Sequence, residues 1–64
     1  MNRIHFITLT DRDNGVRFIN VAHIVEIVHR KDVVVVSLST GENYEVVDDM
    51  TTIRSKLEHS SVIN

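Results

Sequence analysis

Carboxylates, imidazoles, hydroxyls and guanidinium groups are the side chains here with the means to do chemistry, and their spacing decides which chemistry is open to them. The run Asp11-Arg12-Asp13-Asn14-Gly15 begins like a calcium loop. In an EF-hand, however, the glycine is the sixth position and an acidic residue the twelfth, whereas here Gly15 is fifth and Ala22 twelfth. The run reads instead as a polar hairpin turn closed by Asn14-Gly15, both of which tolerate positive φ. Asp48-Asp49 offers paired carboxylates, but they stand at the start of a helix-like stripe, where an acidic residue satisfies orphan amides and suits the positive end of the helix dipole. His5, His23, His29 and His59 form no i, i+4 pair and no zinc-protease spacing. His5 and His29 fall on strand-like segments, and two such ligands do not close a metal site. No serine has the flanking glycines of a nucleophile elbow. Gly15 and Gly41 both fall in turns, which leaves no glycine-rich phosphate loop. The expectation is a non-enzymatic chain with no catalytic residues, no metal site and no cofactor.

Binding chemistry remains. Five of the seven basic residues are arginines (Arg3, Arg12, Arg17, Arg30 and Arg54), and the planar guanidinium fork suits carboxylate and phosphate. Arg12 and Arg30 fall in turns and Arg54 on an exposed helix face, where charge is ordinary. Arg17 lies mid-strand, facing opposite to Val16 and Phe18, where a positive charge needs a reason. Tyr44 is the one aromatic with a polar tip, able to stack on a flat ligand or hold a hydroxyl. Asn20 caps a single helical turn through Val21, Ala22 and His23. Arg17, Asn20, His23 and Tyr44 are therefore the candidate ligand-binding residues, for a small anionic or nucleotide-like molecule.

The elements that must position them follow from periodicity. Strands are read over Arg3 to Leu9, Val16 to Ile19, Ile24 to His29, Val33 to Leu38 and Asn43 to Val47. Charged or polar turns at Arg30-Lys31-Asp32 and Ser39-Thr40-Gly41-Glu42 separate the later ones. Met50, Ile53 and Leu57 then follow at i, i+3 and i+7, with Arg54, Lys56 and Glu58 between them, the stripe of an amphipathic helix. The expected fold is mainly β (α+β): a five-stranded antiparallel curled sheet with one C-terminal helix across one face. Val62 and Ile63 beyond the helix are expected to fray or to lie on another subunit. The valine run constrains assembly. Val34, Val36 and Leu38 point one way and Val33 and Val35 the other, so both faces need cover, and the helix supplies one. The second face predicts a homodimer or higher oligomer.

Composition sets the limits. The chain has 64 residues, enough for a single small domain over residues 1–64, and such domains bury only about 60% of their unfolded surface. It has no cysteine, which excludes disulfides and thiolate metal sites and fits a reducing, cytoplasmic location. A net charge of −2 weighs against nucleic acid as a partner, and no apolar run approaches the length of a membrane span.

Several of these residues together carry a resemblance. Ile7-Thr8-Leu9, the Asn-Gly turn, Phe18-Ile19-Asn20, Ile24 and Ile27, Val35 to Leu38, Thr40-Gly41, Tyr44, Val46-Val47, Ile53 and Leu57 resemble the FlbD-type small flagellar protein family over about Ile4 to Leu57. The shared positions are mostly fold-determining. The resemblance implies a motility accessory acting by protein–protein binding, with no catalytic site to carry over. The first loop carries extra charge relative to that pattern, and the tail after Leu57 has no counterpart. The strand-rich pattern is also similar to the LytTR-type DNA-binding module, but Asp11, Asp13 and Glu42 stand where that module needs basic loops. Compact, catalytically empty chains also resemble the sponge proteins by which phages sequester nucleotide immune signals. The favoured expectation is thus a homo-oligomer holding a small anionic ligand at subunit interfaces. A flagellar-type accessory is the alternative and a small DNA-binding regulator the least favoured.

Overall fold

The computed structural model describes residues 4–13 and 15–63, with Ser61–Ile63 described by backbone pairing alone. Two sequence expectations, the strand start at Arg3 and the Asn14 half of the first turn, lie outside the described residues. The order is β1 (Ile4–Thr10), β2 (Val16–Asn20), a 3-10 turn (Val21–His23), β3 (Ile24–Arg30), β4 (Val33–Leu38), β5 (Asn43–Val46), α1 (Met50–Glu58) and β6 (Ser61–Ile63). The fold is mainly β, antiparallel throughout, with one helix near its C-terminal end.

The strands form two sheets, ordered β2-β1-β6 and β3-β4-β5. This corrects the expected single five-stranded sheet. The physical reason lies on one edge of β1, where Ile4 to Phe6 pair with β6. Only the far end of that edge is left for β5. There Asp11 bridges to Val46, the Arg12 N–H donates to the Glu45 carbonyl at 3.0 Å, and the Val47 N–H donates to the Thr10 carbonyl at 2.9 Å. Two hydrogen bonds make a seam rather than a ladder. The same pairing corrects the expectation for the tail: the strand that holds Val62 and Ile63 closes onto its own β1.

Between the sheets lies one core. Ile7, Leu9 and Ile19 come from the first sheet, Val34, Val36 and Val46 from the second, and Ile53 from α1. Alternation along β4 is as its sequence requires, since Val34 and Val36 are buried while Val33 and Val35 are half-buried on the opposite face. On α1, Ile53 is fully buried and Leu57 packs against the core. Met50, expected on the same stripe, is instead 40% exposed, because it is the first helical residue and projects past the edge of the core.

Asp49 caps the helix, its side chain accepting from the Thr52 amide at 2.7 Å. Asp48 has a different role. Its carboxylate, only 10% exposed, accepts the Thr10 amide at 2.7 Å and the Lys56 ammonium at 3.0 Å. Lys56 also donates to the Thr8 carbonyl at 2.6 Å. It is a tie between helix and sheet, where the stripe alone would make it a solvated neighbour of Leu57. Burial pushes the Asp48 carboxyl up, but the Thr10 amide and Lys56 together outweigh it and hold the group below the ordinary aspartate range.

Two predictions follow from this packing. Ile53→Ala should lower unfolding free energy in urea by about 2–5 kcal/mol, and Glu58→Ala should change it by less than about 0.5 kcal/mol. Because Asp48 binds its proton less tightly folded than unfolded, its stabilisation is complete above the unfolded value and is lost as pH falls below about 4. Asp48→Asn should therefore cost about 1.5–3 kcal/mol at pH 7 and flatten the acid limb of the stability curve. An unchanged acid limb would show that Asp48 is not the group responsible.

Candidate functional site

Arg17 is the anomaly of β2. Val16, Phe18 and Asn20 point away from the core, while Arg17 shares the inner face with the buried Ile19 and lies opposite Leu9 in register. Since β2 is an edge strand, a guanidinium on its inner face reaches out over the rim of the core. There its central carbon lies 4.0 Å from the centre of the Tyr44 ring, within the range of a cation–π contact. Its Nε donates to Asp11 Oδ2 at 2.9 Å.

Asp11 reaches this position because its own turn is tightly bonded. Its other carboxylate oxygen accepts from the Asp13 and Gly15 amides at 3.0 and 2.9 Å, and its N–H donates to the Gly15 carbonyl at 2.8 Å. The Gly15 amide in the first place, with Asp13 and Arg17, holds the Asp11 carboxyl below its ordinary range against the opposing effect of desolvation. A Cβ at position 15 would sit 3.1 Å from Asp11 Oδ2, close enough to press that carboxylate aside by a few tenths of an ångström. The segment that starts like a calcium loop thus uses its first carboxylate internally.

The far side of Tyr44 is held by the β4–β5 turn. Gly41, at φ 93°, lets that turn close, and Glu42 then accepts the Tyr44 hydroxyl at 2.7 Å and the Thr40 hydroxyl at 3.0 Å. The Tyr44 bond, followed by that of Thr40, keeps the Glu42 carboxyl below its usual range, and the same bond to Glu42 pushes the Tyr44 phenol up. Across from them, Asn20 Oδ1 caps the 3-10 turn through the Ala22 amide at 3.0 Å. His23 Nδ1 lies 3.1 Å from Ser39 Oγ, and the His23 carbonyl accepts the Ser39 amide at 2.7 Å.

All four residues singled out from the sequence, Arg17, Asn20, His23 and Tyr44, line one open groove of about 140 Å³ with Phe18 and Thr40 on its walls. On the other side of the Arg17–Tyr44 pair lies a cleft of about 270 Å³ walled by Asp11, Arg12, Asp13 and Glu45. The pair therefore separates a groove rich in donors from an acidic one. In the first, the Arg17 terminal amines, the Asn20 amide nitrogen and His23 Nε2 have no protein hydrogen-bond partner among the described residues. Asp11 and Glu42, the nearest carboxylates, are both engaged. Such a set can hold a flat ring against Tyr44 and Phe18 and present donors to oxygen acceptors.

Among the described residues no cluster of three His, Asp or Glu side chains is placed to hold a metal ion. His5 is engaged near the chain end, its Nδ1 lying 3.1 Å from Ser60 Oγ, while His29 belongs to the other sheet. No helix among the described residues is long and apolar enough to cross a membrane. Comparison of the chain with protein-family models, curated proteins and solved structures finds no match in any of the three.

Sequence reasoning did not place Asp11, Glu42 or Phe18 in the site. Glu42 was within reach of it, because side chains at i and i+2 near a strand share a face and so meet Tyr44. Asp11 follows from the hairpin register once Leu9 is set opposite Arg17, as it lies two residues beyond Leu9. Tyr44 is the only tyrosine and there is no tryptophan, which makes one prediction clean to read. Phenolate absorbance should titrate above the ordinary value of about 10, and Glu42→Gln should bring it back toward that value. A titration unaffected by Glu42→Gln would break the assigned bond.

Proposed function

We propose that this chain is a non-enzymatic, homo-oligomeric binding protein that sequesters a small anionic, nucleotide-like ligand at its subunit interfaces, in the manner of a phage sponge. The observation that carries this reading is the convergence of Arg17, Asn20, His23 and Tyr44 on one groove, with donors left unused beside an aromatic face. Arg17 supplies the charge, fixed in direction by Tyr44 and Asp11. Tyr44 and Phe18 supply the stacking faces, and Asn20 and His23 supply directional hydrogen bonds from a turn pinned to the neighbouring sheet. Charges around the site, with Asp11, Asp13 and Glu42 in its loops and Glu45 on β5, disfavour a DNA backbone as the ligand.

The groove alone is too small for a nucleotide. Small-molecule sites usually enclose about 300–1,000 Å³, against about 140 Å³ here. An interface between subunits supplies the missing wall.

A thermal-shift screen of cyclic and ADP-ribose-type nucleotides tests the reading. A ligand present at 100 times its Kd adds about 2.7 kcal/mol of stability. Arg17→Ala should weaken binding by about 10-fold to 100-fold, the worth of one charge-assisted hydrogen bond, without unfolding the chain. Arg17→Lys should recover only part, because a point charge lacks the planar fork. If no nucleotide raises the Tm, or if Arg17→Ala responds as the parent does, the protein-binding accessory role implied by the FlbD-type resemblance takes its place.

A further inference from the structure

Along β1 and β2 the outward face of the first sheet carries no charged side chain among the described residues. Along β1 it presents Ile4, Phe6, Thr8 and Thr10, and along β2 it presents Val16, Phe18 and Asn20. Phe18 is 71% exposed, Val16 65% and Ile4 48%. Phe6 and Phe18, diagonal neighbours across the two strands, stack with their ring centres 5.4 Å apart and 12° from parallel. Solvent-facing aromatic and branched side chains in one contiguous patch mark an interaction surface.

We infer that this face, around the Phe6–Phe18 stack, is where a second copy of the same chain docks about a two-fold axis. The inference rests on the homo-oligomeric part of the function proposed above and is independent of the ligand. Charge selects the occupant. In a two-fold contact each patch meets itself, so a charge near the axis meets its own like charge. A face of seven uncharged residues is self-complementary in that sense. The outward face of the second sheet is the alternative suggested by Val33 and Val35, and it carries Glu26, Arg30 and Glu45 around valines that are already half-buried. That face presents three charges to its own copy, and its Val33 and Val35 are less exposed than Phe18 and Val16, although Val47 just beyond β5 is 60% exposed.

The same contact explains the shallow groove. Phe18 belongs both to the apolar face and to the wall of the groove that holds Arg17 and Tyr44. A partner seated on Phe18 therefore borders that groove and deepens it. Asn20, at the end of the same face, also lines it.

Light scattering coupled to size exclusion, at micromolar concentration, tests this directly. The parent should elute at twice the 7.3 kDa chain mass. Phe18→Glu should return it to the single-chain mass with an unchanged far-ultraviolet dichroism spectrum, while Val35→Glu should leave the larger species intact. A second measurement does not depend on either variant folding well. The chain has no cysteine, so Thr8→Cys places the only thiol on this face and should oxidise to a disulfide-linked dimer, whereas Ser37→Cys on the other sheet should not. A single-chain mass for the parent overturns both this inference and the homo-oligomeric reading. A dimer that survives Phe18→Glu but dissociates with Val35→Glu overturns this face alone, as does cross-linking through Ser37→Cys and not through Thr8→Cys. Nucleotide binding with parental affinity by a monomeric Val16→Glu variant, whose change lies on the same face but outside the groove, would show that the partner does not complete the groove.

Discussion

A largely buried carboxylate at the seam between two sheets is the interaction on which the rest of this small structure depends. Asp48 receives the Thr10 amide from the end of β1 and the Lys56 ammonium from α1, and Lys56 reaches on to the Thr8 carbonyl. The end of β1 and the start of the helical segment, 38 positions apart at Thr10 and Asp48, are tied at one point. Beside that tie, two backbone bonds near Asp11, the Arg12–Glu45 ion pair, the Arg17–Tyr44 contact and the shared apolar core join the first sheet to the second. Partial burial strengthens the polar contacts, and the ionised form is retained because every oxygen of Asp48 has a donor. The helix can then lay Ile53 over Leu9, Val36 and Val46, which with it are the most deeply buried large side chains of the fold.

The candidate site is a consequence of the same division into sheets. Arg17 lies on the edge strand of the first sheet and Tyr44 on the edge strand of the second. They meet only because the seam brings β1 against β5, with the Asp11 turn on one side and the Gly41 turn on the other. A guanidinium held by stacking and by one carboxylate is oriented yet still half-exposed. Orientation of this kind lowers the entropic cost of gripping an anion, since fewer rotamers are lost on binding. Asp11 and Glu42, the carboxylates beside the guanidinium, are both engaged in hydrogen bonds.

Size is the second constraint. Seven residues make up the buried core among the described residues, and a chain of this length leaves apolar surface over. That surplus is not spread evenly. Phe18 and Val16 concentrate it on the outward face of the first sheet, next to the groove, while Met50 and Val47 expose it at the start of the helix. Phe18 lines the groove with Arg17 and Tyr44, so the proposed docking face and the candidate site share a residue.

Local order was legible in the sequence wherever it depends on residues within about four positions of one another. Alternation gave the strands within a residue or two, Asn20 and Asp49 announced their caps, and Gly41 marked its turn. The candidate residues Arg17 and Tyr44 were legible too, because each is an oddity on its own strand. Other features had no local signal. Nothing near Ser61–Ile63 says that it pairs with β1, and that pairing is what splits the expected single sheet. Lys56 looks like one more solvated charge on the helix until Thr8 and Asp48 are brought to it. The Arg17–Tyr44 contact joins two sheets across 27 positions of the chain. Propensity, capping and periodicity act through the backbone and its near neighbours, so the sequence by itself determined the elements and their faces. Which edge pairs with which, and therefore which side chains share a groove, is a competition among distant partners that only the tertiary structure decided.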